Sequence, residues 1–508
     1  MRNRLASSFL AVMLTACGFG GGAASSANSP PMTYPPGTSA DAGVGGVPGN
    51  IGVGGAQDFA AFRSALDQGR VPAPDTLDSA GFFAEHYNSL PAPTCGDLFC
   101  LHGLLSVSPN LVHGGTWTLL QLGMNSPLDP RTVARPPLDL VVVIDRSGSM
   151  ADDDKMVYAI EGAQTLVDQL GESDTLTLIA FDSQVETLFG PARVSDRAAL
   201  KSKLAGLFPG GSTNIYDALD AAYRAALANS DETRLRRVIF LTDGLPTVGD
   251  TSSADISAMS LGYNVKHVGL TTIGVGRDAG LPLLRGLAEQ GGGNFYFLES
   301  AQAIAEVFKE ELAVFVAPLA YDVELSFDVG APYKVGELFG TSLWTPTATG
   351  ARIRVPSVYL TSRTSDEPGQ AGGRRGGGSA LIAELAPIAD ALAGHTVASA
   401  HLRFRLPGSS VVHGQDIVMT YANHPGVCDA GGSYSSPEIT KNEAILSFFV
   451  AFRDATELAV RSTSQASGLL GSFASRIHPR LDRTTDDDLA DDLTLLDEYI
   501  DIVAPKTR

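Results

Sequence analysis

The 508-residue sequence predicts an α/β fold: a doubly wound, mostly parallel sheet, flanked by an antiparallel β region and C-terminal helices. Three observations predict it. Between Leu138 and Pro318, nearly unbroken apolar, β-branched runs alternate with helical segments, the pattern of strands covered on both faces and joined by crossover helices. After Pro318 the hydrophobic period drops to two, as in an antiparallel sheet with one solvated face. From Ser436 the apolar spacing is helical again, as in helices with one buried stripe.

Composition narrows the function. Apolar residues are 44% and charged residues 18%, so the chain can bury large cores. A formal charge of −20 repels a phosphate backbone and argues against nucleic acid as partner. The nine His show no metal-ligand spacing.

At the amino terminus, Arg2 and Arg4 precede an apolar run from Leu5 to Ala16, too short to span a bilayer but suited to an export signal. The run closes on Leu14-Thr15-Ala16-Cys17, which resembles the lipobox of bacterial lipoproteins. That resemblance implies a signal peptide over 1–17, lipidation at Cys17 and, with Gly18 following, delivery to the outer membrane of the cell envelope. Residues 18–57 are rich in Gly, Ala, Ser and Pro and are expected to form a flexible tether. Export favours oxidation, so Cys95 and Cys100 are candidates for a short disulfide loop that leaves Cys428 over.

Residues 58–135 read as a leading module. Phe59, Phe62 and Leu66 have helical spacing, a Pro-rich stretch follows, and Trp117–Gly123 reads as a strand. Pro136-Pro137 marks a joint. The α/β unit over 136–317 has predicted strands at Asp139–Asp145, Leu176–Phe181, Val238–Thr242, Leu270–Val275 and Asn294–Leu298. Predicted helices are Lys155–Leu170, Asp196–Leu207 with Ser195 as cap, Ile215–Ala228, Ser253–Leu261, Leu281–Gln290 and Ala301–Phe315. The acids Asp152–Asp154 are expected to open the Lys155 helix. Gly274-Val-Gly276-Arg-Asp-Ala-Gly280 has the wrong spacing for a dinucleotide fingerprint and reads as a tight turn.

In the β-rich region over 318–425, Tyr321–Phe327 and His401–Leu406 alternate, the latter with Leu402, Phe404 and Leu406 on one face. Gly369–Ser379, with Arg374 and Arg375, reads as a loop. The helical segment over 436–508 carries stripes at Ile445, Phe448, Phe449 and Phe452 and at Leu489, Leu493, Leu496, Ile500 and Val503, with acids at the start of the last helix.

Three turns carry the chemistry. The first strand ends in Asp145-Arg146-Ser147-Gly148-Ser149-Met150, a later one in Thr242-Asp243-Gly244, and Gly210-Gly211-Ser212-Thr213-Asn214 opens a helix between them. All three can meet at the carboxyl edge of a doubly wound sheet. Asp145, Ser147, Ser149, Thr213 and Asp243 offer two carboxylates and three hydroxyls, hard oxygen donors suited to Mg²⁺, Mn²⁺ or Ca²⁺. Such a set leaves a coordination position for an outside oxygen.

D-x-S-G-S-M, G-G-S-T-N and T-D-G at these separations resemble the von Willebrand factor A domain and its metal-ion-dependent adhesion site. The resemblance implies that Ser147, Ser149 and Thr213 ligate the ion directly while Asp145 and Asp243 act mostly through water. Less specifically, Ala380–Pro387, His401–Arg405 and Ala444–Leu458 resemble bacterial A-domain lipoproteins of the inter-alpha-trypsin-inhibitor and calcium-activated-chloride-channel type. The function so implied is binding, not catalysis: a lipid-anchored envelope protein whose cation takes a carboxylate from a protein or glycan partner. The competing expectations are a structural envelope protein with a non-recruiting ion and a metal-dependent hydrolase. Against the hydrolase, the three turns hold no His or Cys as general base, and Ser147 and Ser149 fall outside G-x-S-x-G.

Overall fold

The computed structural model describes residues 19–21, 49–56, 59–88, 90–129, 133, 135–229, 231, 233–276, 280–298, 307, 315–361, 378–389, 395–421, 434–435, 437–481, 484 and 486–504. Among these residues two sheets form, one of seven strands and one of twelve.

The seven-stranded sheet is the expected parallel one. Its main strands are β1 (Leu138–Asp145), β2 (Thr175–Phe181), β3 (Val185–Arg193), β4 (Leu235–Thr242), β5 (Val268–Val275) and β6 (Gly292–Leu298). Between them run helices α1 (Lys155–Gln169), α2 (Arg197–Ala205), α3 (Ile215–Ala226), α4 (Ser253–Asn264) and α5 (Leu281–Gln290). The order is β3-β2-β1-β4-β5-β6. Because β1 pairs in parallel with both β2 and β4, strand order reverses between β1 and β4, and a crevice opens at their carboxyl ends.

The unbroken apolar run of β1 follows from its two covers. Leu138, Leu140, Val142 and Ile144 face a core with Ala159, Ala163, Leu166 of α1 and Leu200, Leu204 of α2. Val141 and Val143 face Ile215, Leu219 and Tyr223 of α3. The antiparallel edge strand β3 escaped the sequence because its side chains are mostly exposed and it contains Gly190 and Pro191. Helix α2 is capped by Asp196, whose side chain accepts from the Ala199 amide, not by Ser195. Of the expected Ala301–Phe315 helix, residues 301–306 and 308–314 lie outside the described residues, and Phe315 begins a strand.

The twelve-stranded antiparallel sheet differs from the expected division. Cys100–Pro109 and Thr116–Ser126, read as part of a separate leading module, join the same sheet as Phe315–Val329, Gly350–Thr361, Leu381–Pro387 and Thr396–Arg405. The expected tether is also partly structured. Phe19–Gly21 pairs with Val412–Tyr421, Gly49–Gly52 sits between Gly350–Thr361 and Thr116–Ser126, and Gly55–Ala56 extends the parallel sheet beside β6. Glycine has no side chain to display a period, so the composition concealed these strands although Ile51 and Val53 are buried. The alternation of His401–Leu406 holds: Leu402 and Phe404 are buried, while His401 and Arg403 pair with Asp416 and Arg405 with Asp322.

Helices α6 (Pro437–Ala459), α7 (Thr463–Leu481) and α8 (Asp487–Val503) pack together against this sheet. Their core takes in Phe62, Phe82, Trp117, Phe339, Phe448, Phe452, Leu496 and Tyr499, so the helices at Ala60–Asp67 and Ser79–Glu85 belong to it. Among the described residues no helix is long and apolar enough to cross a membrane.

Candidate metal centre

The carboxyl ends of β1 and β4 place Asp145 and Asp243, both fully buried. Backbone hydrogen bonds lock the three motif turns together. The Gly148 amide donates to the Gly211 carbonyl (3.1 Å) and the Gly210 amide to the Arg146 carbonyl (2.7 Å). The Thr213 carbonyl accepts from the Thr247 amide (2.9 Å), while the Thr213 amide donates to Thr247 Oγ1 (2.9 Å). Next to it Asn214 caps α3, its side chain accepting from the Asp217 amide. The five residues, 98 positions apart in sequence from first to last, thus meet in one crevice.

Asp145 Oδ1 accepts from the Ser147 amide (2.7 Å) and Oδ2 from Thr242 Oγ1 (2.5 Å). Asp243 Oδ1 accepts from Ser149 Oγ (2.8 Å) and Oδ2 from Lys155 Nζ (2.8 Å). Ser147 Oγ and Ser149 Oγ are 3.1 Å apart. Ligands at adjacent corners of an octahedron around Mg²⁺, each ~2.1 Å from the ion, stand about 3 Å from one another. Ser147 Oγ and Ser149 Oγ have that spacing, so the two serine oxygens fit a small hard cation in separation, and the donor set fits one in type. Burial pushes the Asp145 carboxyl up to about 6 against the hydrogen bonds from Thr242 and Ser147, and the neighbouring Asp243 charge adds to the rise. A cation at this crevice would relieve both effects by compensating the paired charges.

Three contributors were given no role in the site by the sequence. Thr242 and Thr247 orient Asp145 and Thr213, and Lys155 reaches Asp243 from the first position of α1. A lysine opening a helix ordinarily reads as a solvated side chain, so no sequence signal marked it. The acids at Asp152–Asp154 do not enter the first turn of α1. They are exposed and lie in a short turn where Asp153 and Asp154 take φ of 52° and 58°. Gly276 takes φ +75° at the end of β5, and residues 277–279 of the expected turn lie outside the described residues.

Cys95 and Cys100 are joined by a disulfide with an S–S distance of 2.05 Å. Cys17, Cys428, Arg374 and Arg375 lie outside the described residues. Among the described residues no group of three or more His, Cys, Asp or Glu is placed to hold a metal ion.

The family model for the von Willebrand factor type A domain matches residues 139–310. The chain is similar to protein YfbK of Escherichia coli (strain K12), 24% identical over 283 residues that cover 53% of this chain and 48% of that protein. It is also similar to inter-alpha-trypsin inhibitor heavy chain H4 of Bos taurus, 33% identical over 173 residues, 32% of this chain and 19% of the relative. The chain therefore spans less than half the length of either relative. Among solved structures, a von Willebrand factor type A protein from Catenulispora acidiphila aligns over 81% of this chain and 89% of its own, at 16% identity and a TM-score of 0.49. Residues 139–310 of this chain form a von Willebrand factor type A domain.

Proposed function

We propose that the chain is a cation-dependent, adhesion-type binding protein of the bacterial envelope. Its ion, Mg²⁺ or Mn²⁺, would be held directly by Ser147, Ser149 and Thr213. Asp145 and Asp243 would position water ligands, since both oxygens of each carboxylate already accept hydrogen bonds. The remaining position would take a carboxylate oxygen from a protein or glycan partner.

The observation that carries this reading is the 3.1 Å spacing of the Ser147 and Ser149 oxygens beside the Asp243 carboxylate, on turns locked by their own backbone bonds. A site arranged so before the ion arrives loses little ordering entropy on binding it. The reading includes export and lipidation at Cys17, supported by Arg2, Arg4 and the apolar run that follows.

Capture of envelope proteins and glycans on the immobilised chain, in Mg²⁺ and in EDTA, tests the function. Specific retention in Mg²⁺, lost in EDTA and in Asp145→Ala, is expected. Retention that survives both treatments would show that the contacts come from elsewhere and overturn the reading.

A further inference from the structure

We propose that Lys155 sets the charge and the ion preference of this centre: it leaves a bound divalent cation electropositive enough to recruit an anion, and it disfavours Ca²⁺. The inference deepens the function proposed above and rests on it.

Lys155 is 5% exposed, an unusual state for a lysine. Its Nζ lies 2.8 Å from Asp243 Oδ2 and 3.5 Å from the Ser149 carbonyl. The stem is held from behind by Gly276, where an added Cβ would come within 2.7 Å of Lys155 Cε. Approach to this position is set by Asp153 and Asp154, whose left-handed φ angles turn the chain directly into α1. The ammonium is therefore built into the crevice from two elements and does not reach it as a surface side chain would.

Two consequences follow. The centre has two carboxylates, Asp145 and Asp243, and three neutral hydroxyls. With those alone a divalent cation would be neutralised, and an incoming carboxylate would meet no net charge. The Lys155 ammonium offsets one carboxylate, so the loaded centre keeps one positive charge beside the buried Asp145 and Asp243. Ion affinity is lowered and anion affinity raised by the same charge.

The second consequence concerns geometry. Ca²⁺ commonly takes carboxylates through both oxygens, whereas Mg²⁺ and Mn²⁺ keep octahedral, singly bound ligands. Lys155 holds Oδ2 of Asp243, leaving Oδ1 on the Ser149 side. This removes the two-oxygen mode that Ca²⁺ would use.

The test compares wild type, Lys155→Met, Lys155→Gln and Lys155→Arg in the full chain. Mn²⁺ binding is followed by electron paramagnetic resonance, Ca²⁺ by competition, and anion recruitment by the acetate concentration that displaces water from bound Mn²⁺ in proton relaxation. In Lys155→Met and Lys155→Gln, Mn²⁺ should bind more tightly and half-effect should require about tenfold more acetate, and in Lys155→Met, which frees Oδ2 of Asp243, Ca²⁺ should gain more than Mn²⁺. Lys155→Arg should behave like wild type. Lys155→Gln keeps a hydrogen bond to Asp243, which covers the case that Lys155→Met does not fold. If the uncharged variants bind Mn²⁺ and acetate like wild type, or lose both together, the role assigned to Lys155 is wrong while the ion site stands. If wild type binds no Mn²⁺, both proposals fall.

Discussion

His86 Nε2 lies 2.9 Å from Asp492 Oδ2 at a fully buried contact, tying the residue that ends the Ser79–Glu85 helix to α8 across 406 positions of chain. The other ring nitrogen faces the Phe82 carbonyl at 2.6 Å. Burial works against a charged imidazole, but the Asp492 carboxylate, with Asp488 behind it, outweighs burial and holds His86 above its ordinary value. The folded state thus binds this proton more tightly than the unfolded chain, where histidine titrates near ~6.5. The stabilisation is complete below that value and disappears as pH rises through the higher folded value. Urea midpoints measured by circular dichroism should therefore fall more steeply as pH rises above about 6.5 for wild type than for Asp492→Asn. Equal slopes in the two proteins would mean that the pair carries no charge.

Glu289 joins the two sheets in the opposite sense. From α5 it reaches Thr341 and Ser342, in the loop after the second sheet's Tyr333–Phe339 strand, accepting from Thr341 Oγ1, Ser342 Oγ and the Ser342 amide. Burial raises its carboxyl above the ordinary value despite these donors. A raised folded value means its contribution is present below the ordinary value of 4.5 and is lost as pH rises, so near pH 7 the ionised form is a cost. Glu289→Gln should be as stable as wild type or more so at neutral pH, while Glu289→Ala, which strands three donors, should lose about 1–3 kcal/mol. Chemical denaturation separates the two outcomes, and a Gln variant as weak as Ala would contradict the account.

Arg237 and Tyr359 form the second joint between the sheets. The guanidinium, 2% exposed on β4, sits 4.9 Å from the centre of the Tyr359 ring. Tyr359 also lines the core beneath β1 and β4. Tyr359→Ala removes a buried aromatic and leaves the cation beside a void, with an expected cost of about 3–5 kcal/mol. Tyr359→Phe keeps the ring face and should cost much less. Thermal melts that show equal losses for both would shift the weight from the ring to its hydroxyl.

Much of this was legible in the sequence because particular residues allow one reading. The run Leu140–Ile144 is apolar at every position, which only a strand covered on both faces explains. The D-x-S-x-S and T-D-G turns belong to the ends of β1 and β4, so a topology with those strands adjacent brings their oxygens together. What was hidden depended on partners far away. Asp488 and Asp492 read as acids favoured at a helix start, yet they are buried against Lys441, the Tyr87 amide and His86. Their spacing along α8 says nothing of a histidine some 400 residues earlier. Lys155 was hidden for the same reason, since its meaning lies in a carboxylate 88 positions downstream.

Gly249 shows how backbone freedom supports the ion centre from outside it. It lies after the Asp243 turn at φ +71°, and a Cβ there would come within 2.4 Å of Asn214 Oδ1. Asn214 caps α3 and adjoins Thr213, whose carbonyl accepts from the Thr247 amide two residues before Gly249. An alanine at this position meets left-handed strain of about 1–2 kcal/mol and must also push the Asn214 side chain off its cap, shifting Thr213. Gly249→Ala should therefore lower both the melting temperature and Mn²⁺ affinity, whereas Asn214→Ala, which removes the cap but also the collision, should restore part of the affinity when combined with it. Additive losses in the double variant, measured by Mn²⁺ titration, would show that the glycine acts through its own backbone strain and not through Asn214.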